Sequence, residues 1–268
     1  TPAKVIGLGG VASKVAAGKD FSCALTSGTV VCWGKNDYGQ LGNNTTNPSA
    51  APVLVVRYSG GTLIDVTDIS AGGHHACSSS ANRVWCWGGN FWGQLARNPC
   101  PTNDCLDDKF PAAVVVDDAN IVAPTSVSAG GLHNCVLLAD GRLWSWGYNQ
   151  LGQLGTGVTM DRPYITPENV WSLYTQQIAA VSANNSGTCA LGNTGKVWCW
   201  GTTATPGGTT TNVPGLMNGL SATAIGMGER FACAVSDGGL KCWGRNQSGQ
   251  LGDGTALTQV TPIDVVLP

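Results

Sequence analysis

Short apolar runs alternate with polar turns along nearly the whole chain, on the period of a strand. The stretch Phe21–Gly42 reads FSCALTSGTVVCWGKNDYGQLG. Cys23-Ala24-Leu25 and Val30-Val31-Cys32-Trp33 have strand length, and Ser27-Gly28 between them supplies a turn, so the stretch predicts a β-hairpin. The pattern returns at His75–Leu95, His133–Gly155, Thr188–Gly201 and Phe231–Gly252. The Trp of a shared Trp-Gly pair falls at Trp33, Trp87, Trp146, Trp200 and Trp243, in steps of 54, 59, 54 and 43 residues. Periods of this size indicate a fold of repeated supersecondary units.

Each hairpin is framed by further short elements. Before it comes a small-residue strand, at Ser13–Gly18, Asp68–Gly72, Ser126–Gly130, Ala180–Asn184 and Thr223–Gly228. After it comes N-x-x-G-Q-L, intact from Asn36, Asn90, Asn149 and Asn246 and replaced in the fourth copy by Thr202–Gly208. Connectors rich in Thr, Asn and Pro follow, the longest being Ala96–Phe110. Glu168–Gln177 is the best amphipathic helix in the chain. Many short strands punctuated by Gly and Pro predict an all-β fold, a single β-propeller of five four-stranded blades over residues 1–268. The start of Thr1–Gly10 echoes the C-terminal VTPIDVVLP, so the two ends are expected to meet and complete one blade of a closed ring.

The cysteines sharpen this reading. Cys23 and Cys32 stand symmetrically about their turn, as do Cys77 and Cys86, Cys189 and Cys199, and Cys233 and Cys242. An in-register antiparallel pair sets such residues opposite each other, within reach of a disulfide. Cys100 and Cys105 close a small loop of their own. Cys135 faces Ser145 and is the odd thiol among 11 Cys. Zinc sites usually carry short C-x2-C knuckles, which are missing, so disulfides and an extracytoplasmic location, secreted or at the cell surface, are expected. A chain beginning Thr1-Pro2 fits removal of an export leader. Charged residues make up 11% of the chain and the net charge is -2, which argues against nucleic acid. No apolar run is long enough to insert in a membrane.

The repeat A-G-x-x-H/F-x-C-A-L, then D-G-x-V-x-C-W-G-x-N-x-x-G-Q-L-G, resembles that of the RCC1-like propellers, named for the regulator of chromosome condensation. The resemblance covers essentially the whole chain. It implies a propeller whose known members usually close with seven blades. The paired cysteines resemble those of exported bacterial repeats. Family members include a nucleotide exchange factor, a plant photoreceptor and a clamp on β-lactamases, so the resemblance implies a rigid disc whose loops grip another macromolecule. Fold alone does not choose among these.

Candidate sites follow from the repeat. The Trp of Trp-Gly recurs in every copy, as packing between blades requires, and the photoreceptor's Gly-Trp-Arg-His-Thr run is missing. His75 and His133 share a repeat position with Phe21 and Phe231, which fits a packed ring better than a metal ligand. Asp104, Asp107 and Asp108 match no calcium-loop spacing. Asn43, Asn44, Asn184 and Asn246 open N-x-S/T sequons. No G-x-S-x-G, H-E-x-x-H or Gly-Lys-Ser/Thr loop is present, so neither enzyme activity nor a cofactor or metal is expected. The informative positions are Tyr38, Phe91, Trp92 and Tyr148, aromatics of the N-x-x-G loops that repeat structure alone does not demand. Aromatics on a loop-bearing rim are typical interface anchors. The expected function is a non-enzymatic module binding a protein, or another copy of itself, through that rim. The alternative is a carbohydrate-binding propeller stacking a glycan on the same rings. Lys19, His74 and Glu229, expected on the opposite ring face, are the next choice of surface.

Overall fold

The computed structural model describes residues 4–57, 60–96, 107–114, 123–160, 168–173, 175–202 and 209–266. Cys100, Cys105 and Asp104 lie outside them. Among the described residues the strands form five four-stranded antiparallel sheets. The first holds β1 (Ala12–Ala17), β2 (Phe21–Thr26), β3 (Thr29–Gly34) and β4 (Ser49–Leu54). The second holds β5 (Val66–Ala71), β6 (His75–Ser80), β7 (Arg83–Gly89) and β8 (Asp107–Val114). The third holds β9 (Pro124–Ala129), β10 (His133–Leu138), β11 (Leu143–Gly147) and β12 (Glu168–Asn169). The fourth holds β13 (Ile178–Ala183), β14 (Gly187–Gly192), β15 (Val197–Gly201) and β16 (Thr211–Leu216). The fifth holds β17 (Ala224–Met227), β18 (Phe231–Ser236), β19 (Gly239–Gly244) and β20 (Gln259–Asp264). The segment from Glu168 is not an amphipathic helix. It pairs briefly as β12 and turns through a 3-10 helix at Trp171–Leu173, because strand pairing at the edge of the third sheet satisfies its backbone first.

Each hairpin is in register across its cysteines. Cys23 pairs with Cys32, Cys77 with Cys86, Cys189 with Cys199 and Cys233 with Cys242. All four pairs are bonded, with Cα atoms 4.1 to 4.2 Å apart. Cys135 faces Ser145 and is a buried free thiol. The Gly of each Trp-Gly pair is set by geometry. Gly34 has φ 111°, and a Cβ there would lie 2.6 Å from the Asp20 carbonyl. Only a residue without a side chain adopts that backbone and lets the loop press on the preceding turn. Outer strands carry Pro52, Pro214 and Pro262, which blunt an edge against further pairing.

Alternation gives every sheet two unlike faces. The cysteine face of one sheet packs on the tryptophan face of the next. Cys23, Leu25, Val30 and Cys32 thus bury Ile69, Ala76 and Trp87. The same joint recurs between the second and third, third and fourth, and fourth and fifth sheets. This radial stacking is a propeller's. The expected closure by the two termini is not observed. The first sheet is built wholly from N-terminal strands and the fifth wholly from C-terminal ones. No packing like that of the four joints links these two sheets among the described residues. The repeat runs from inner to outer strand within one unit, so β1–β4 and β17–β20 each form a four-stranded sheet without a strand borrowed from the other.

Candidate functional site

In an antiparallel meander the first and third connections lie at one edge and the second at the other. The turn after each inner strand therefore adjoins the N-x-x-G loop. Lys35 donates its backbone N–H to the Asp20 carbonyl at 2.9 Å, Gly89 to His74 at 2.8 Å, and Tyr148 to Leu132 at 3.0 Å. His74 and Lys19 thus share an edge with the aromatic loops. Their expected assignment to the opposite face is incorrect, and Glu229, in the equivalent turn of the fifth sheet, moves with them.

The loops are held by their own polar residues. Asn36 Oδ1 accepts the Leu41 N–H at 2.9 Å, while its Nδ2 donates to the carbonyls of Thr45 and Asn47 at 2.9 Å each. Gln40 Oε1 accepts the Tyr38 N–H at 2.9 Å. Asn90, Asn149 and Asn246 repeat the first bond, with Leu95, Leu154 and Leu251. Asn36, Asn90, Asn149 and Asn246 are buried, which takes the Asn246 sequon out of solvent. A buried, satisfied frame of this kind fixes the loop and leaves its variable positions free to face outward.

Those positions converge. Tyr38 of the first sheet meets Phe91 of the second edge to face, with centroids 5.1 Å apart, and its other side meets His74 at 4.9 Å. Trp92, next to Phe91, meets Tyr148 of the third sheet at 5.1 Å. The four predicted residues and His74 make one aromatic row across three sheets. Phe91 and Trp92 are 38% and 40% exposed, large for rings so placed. Lys35 and Asp37 form an exposed ion pair, 3.2 Å, beside the row. Burial, then the charges of Lys19 and Lys35, hold His74 below the usual histidine pKa, so the row's one imidazole favours its neutral form. His74 also borders an axial cavity of about 610 Å³, lined by the inner-strand ends and by Lys19, Gly130, Asn185, Met227 and Glu229.

The remaining candidates are structural. His75 and His133 are fully buried in different joints, their Nε2 atoms 2.9 Å from Asn134 Oδ1 and Thr188 Oγ1. Cys135 is buried, and burial pushes its thiol up to about 12. Such a thiol is a poor nucleophile at neutral pH. Sequence reasoning missed one element. The indole N–H of Trp87 donates to the Gln40 carbonyl at 3.0 Å, Trp146 to Gln94 at 2.8 Å and Trp200 to Gln153 at 2.8 Å. Each Trp is bolted to the loop of the sheet before it. The recurrence of Trp with Gly-Gln-Leu was the available signal, but a main-chain acceptor leaves no mark in sequence.

The family model of the RCC1-like domain matches residues 1–267. The human E3 ubiquitin-protein ligase HERC2 is 29% identical over 248 residues, which are 89% of this chain but 5% of that protein. Human WBSCR16 superposes with a TM-score of 0.82 at 23% identity, covering 96% of this chain and 67% of that one. Prp20p of Saccharomyces cerevisiae, a structure described with its binding to Gsp1p and histones, gives 0.78 at 20% identity, covering 96% and 63%. The chain thus spans a small part of the curated relative and about two thirds of each solved structure.

Proposed function

We infer, from the premise that this chain belongs to the RCC1-like domain family, that it is a non-enzymatic module gripping a protein partner on the aromatic rim of its propeller. The row of Tyr38, Phe91, Trp92 and Tyr148 carries this reading. Rigid aromatics set on a buried frame lose little entropy on binding, and such residues dominate interface energies. Prp20p, with the same fold, is a binder of Gsp1p and histones. Residues 1–268 act as one propeller unit with five blades, and four hairpin disulfides favour an extracytoplasmic setting.

The test is to capture a partner on the immobilised chain, purify it and measure affinity against rim variants. Trp92→Ala should weaken binding by about 2 kcal/mol, roughly thirtyfold. The melting temperature should fall only slightly, since Trp92 lies outside the buried joint clusters and gives up only its surface contact with Tyr148. Unchanged affinity in both Trp92→Ala and Tyr38→Ala would overturn the assignment. So would rim-dependent binding to a glycan array without a protein partner.

A further inference from the structure

We propose that the aromatic rim takes a proline-rich segment of its partner, laid in the polyproline II conformation along Tyr38, Phe91, Trp92 and Tyr148. This rests on the rim as the interface and names the chemistry that the rim recognises.

The loops leave a partner little main chain to pair with. Gln40 Oε1 accepts the Tyr38 N–H at 2.9 Å, Gln94 Oε1 the Trp92 N–H at 2.6 Å, and Gln153 Oε1 the Leu151 N–H at 3.0 Å. The next N–H of each loop, on Gly39, Gly93 and Gly152, goes to the carbonyl of Asn36, Asn90 and Asn149. An incoming strand that relies on a backbone ladder finds these donors taken, so recognition falls to side chains.

Those side chains are rings and little else. The Asn and Gln of the three loop frames are buried. The exposed polar side chains of these loops are Asp37 and Gln150. Asp37 is held by Lys35 at 3.2 Å, and Gln150 Oε1 accepts the Tyr148 hydroxyl at 3.3 Å. A sugar needs convergent polar groups for its hydroxyls, and the row does not present them. Residues 88–93 and 147–152 contain no Asp, Glu, Lys, Arg or His, and at the Tyr38 end the Lys35–Asp37 pair is neutral as a unit. An acidic or basic motif gains no counter-charge along the row. Proline, uncharged and apolar, matches it.

The rings also suit the shape and the hydrogen bonding of such a segment. Tyr38 and Phe91 stand at 84°, and Trp92 and Tyr148 at 65°. Rings so tilted make ridges with notches between them, and a polyproline II helix repeats its pyrrolidine rings about every three residues. That helix has no internal hydrogen bonds and proline brings no N–H, so its carbonyls need outside donors. The indoles of Trp87, Trp146 and Trp200 are spent on Gln carbonyls. The Trp92 indole N–H and the Tyr38 hydroxyl have no partner among the described residues. Both sides are ordered before they meet, the rings by their buried frame and the segment by its fixed φ, which keeps the entropy cost of binding low.

The probe is a blocked proline decamer, titrated into the isotope-labelled full chain with disulfides intact and followed by NMR, with a Gly-Ser decamer as control. The expected dissociation constant is on the order of 0.1–1 mM, with shifts confined to the three loops and including the Trp92 indole N–H. The control should not bind. Trp92→Phe keeps an aromatic ring at an exposed position and drops the donor, so it should weaken binding by about tenfold with unchanged circular dichroism. Raising salt from about 0.05 to about 0.5 M should change the affinity by less than about twofold. The decamer at about ten times its dissociation constant should raise the apparent constant of a captured partner by about tenfold. A decamer that binds no better than the control, or binds Trp92→Phe equally well, overturns the proposal. A partner lost in Trp92→Ala but not displaced by the decamer overturns it and leaves the rim as the interface. A partner indifferent to both Trp92→Ala and Tyr38→Ala removes the rim itself.

Discussion

Acidification should loosen the joints through two histidines that accept a proton less readily in the folded chain than in the unfolded one. His75 and His133 are fully buried. Asn134 spends its Nδ2 on the Gln94 carbonyl, and the Thr188 hydroxyl donates to the Gln153 carbonyl. The oxygens facing the imidazoles are therefore acceptors, so each histidine donates from Nε2, and each Nδ1 is buried without a partner among the described residues. Burial lowers His75 from 6.5 to about 4 and His133 to about 3. The sign follows from linkage. Folded-state values lie below the unfolded one, so between about pH 6.5 and 4 the unfolded chain binds more protons and stability falls as pH falls. Each histidine contributes a slope of up to about 1.4 kcal/mol per pH unit, or on the order of 3 kcal/mol by about pH 4. That is a large share of a typical domain's stability of roughly 5–15 kcal/mol. Urea unfolding followed by tryptophan fluorescence, stepped from about pH 7 to about pH 4, measures the slope. His75→Phe with His133→Phe copies the residue that Phe21 and Phe231 place there. The pair should cost stability at neutral pH, by stranding Asn134 Oδ1, but flatten the pH dependence. An equally steep slope in the double variant would refute the linkage.

Two further outcomes test the joint and the odd thiol. Trp146→Phe keeps a six-membered aromatic ring but loses the bond to the Gln94 carbonyl, costing about 1 kcal/mol or more, whereas Trp146→Ala should cost about 3–5 kcal/mol; an unchanged denaturant midpoint in Trp146→Phe would deny the hydrogen bond a role. Cys135, held near 12 by burial, should resist iodoacetamide in the native chain and react once urea unfolds it, as peptide mapping will show; rapid native labelling would contradict its placement.

Much of this architecture was written locally. The hairpins follow from turn residues between period-two runs, and the symmetry of Cys23 and Cys32 about Ser27-Gly28 was enough to set their register. The loop aromatics Tyr38, Phe91, Trp92 and Tyr148 stood out because repetition did not require them. What the sequence could not decide depends on contacts between units. That Phe91 reaches Tyr38 while Trp92 reaches Tyr148 is a property of how three sheets are stacked. That His74 joins the row follows from the edge on which a meander places its turns, which no single repeat displays. The slot for each Trp is a main-chain carbonyl, and a carbonyl has the same chemistry in every residue. Echoing termini led to the expectation of a closed ring, but closure depends on the angle summed over four joints. Pattern and turn chemistry determined the sheets; only tertiary packing decided which side chains meet across a joint, such as Trp87 on the Gln40 carbonyl, because the partner each requires lies on another sheet.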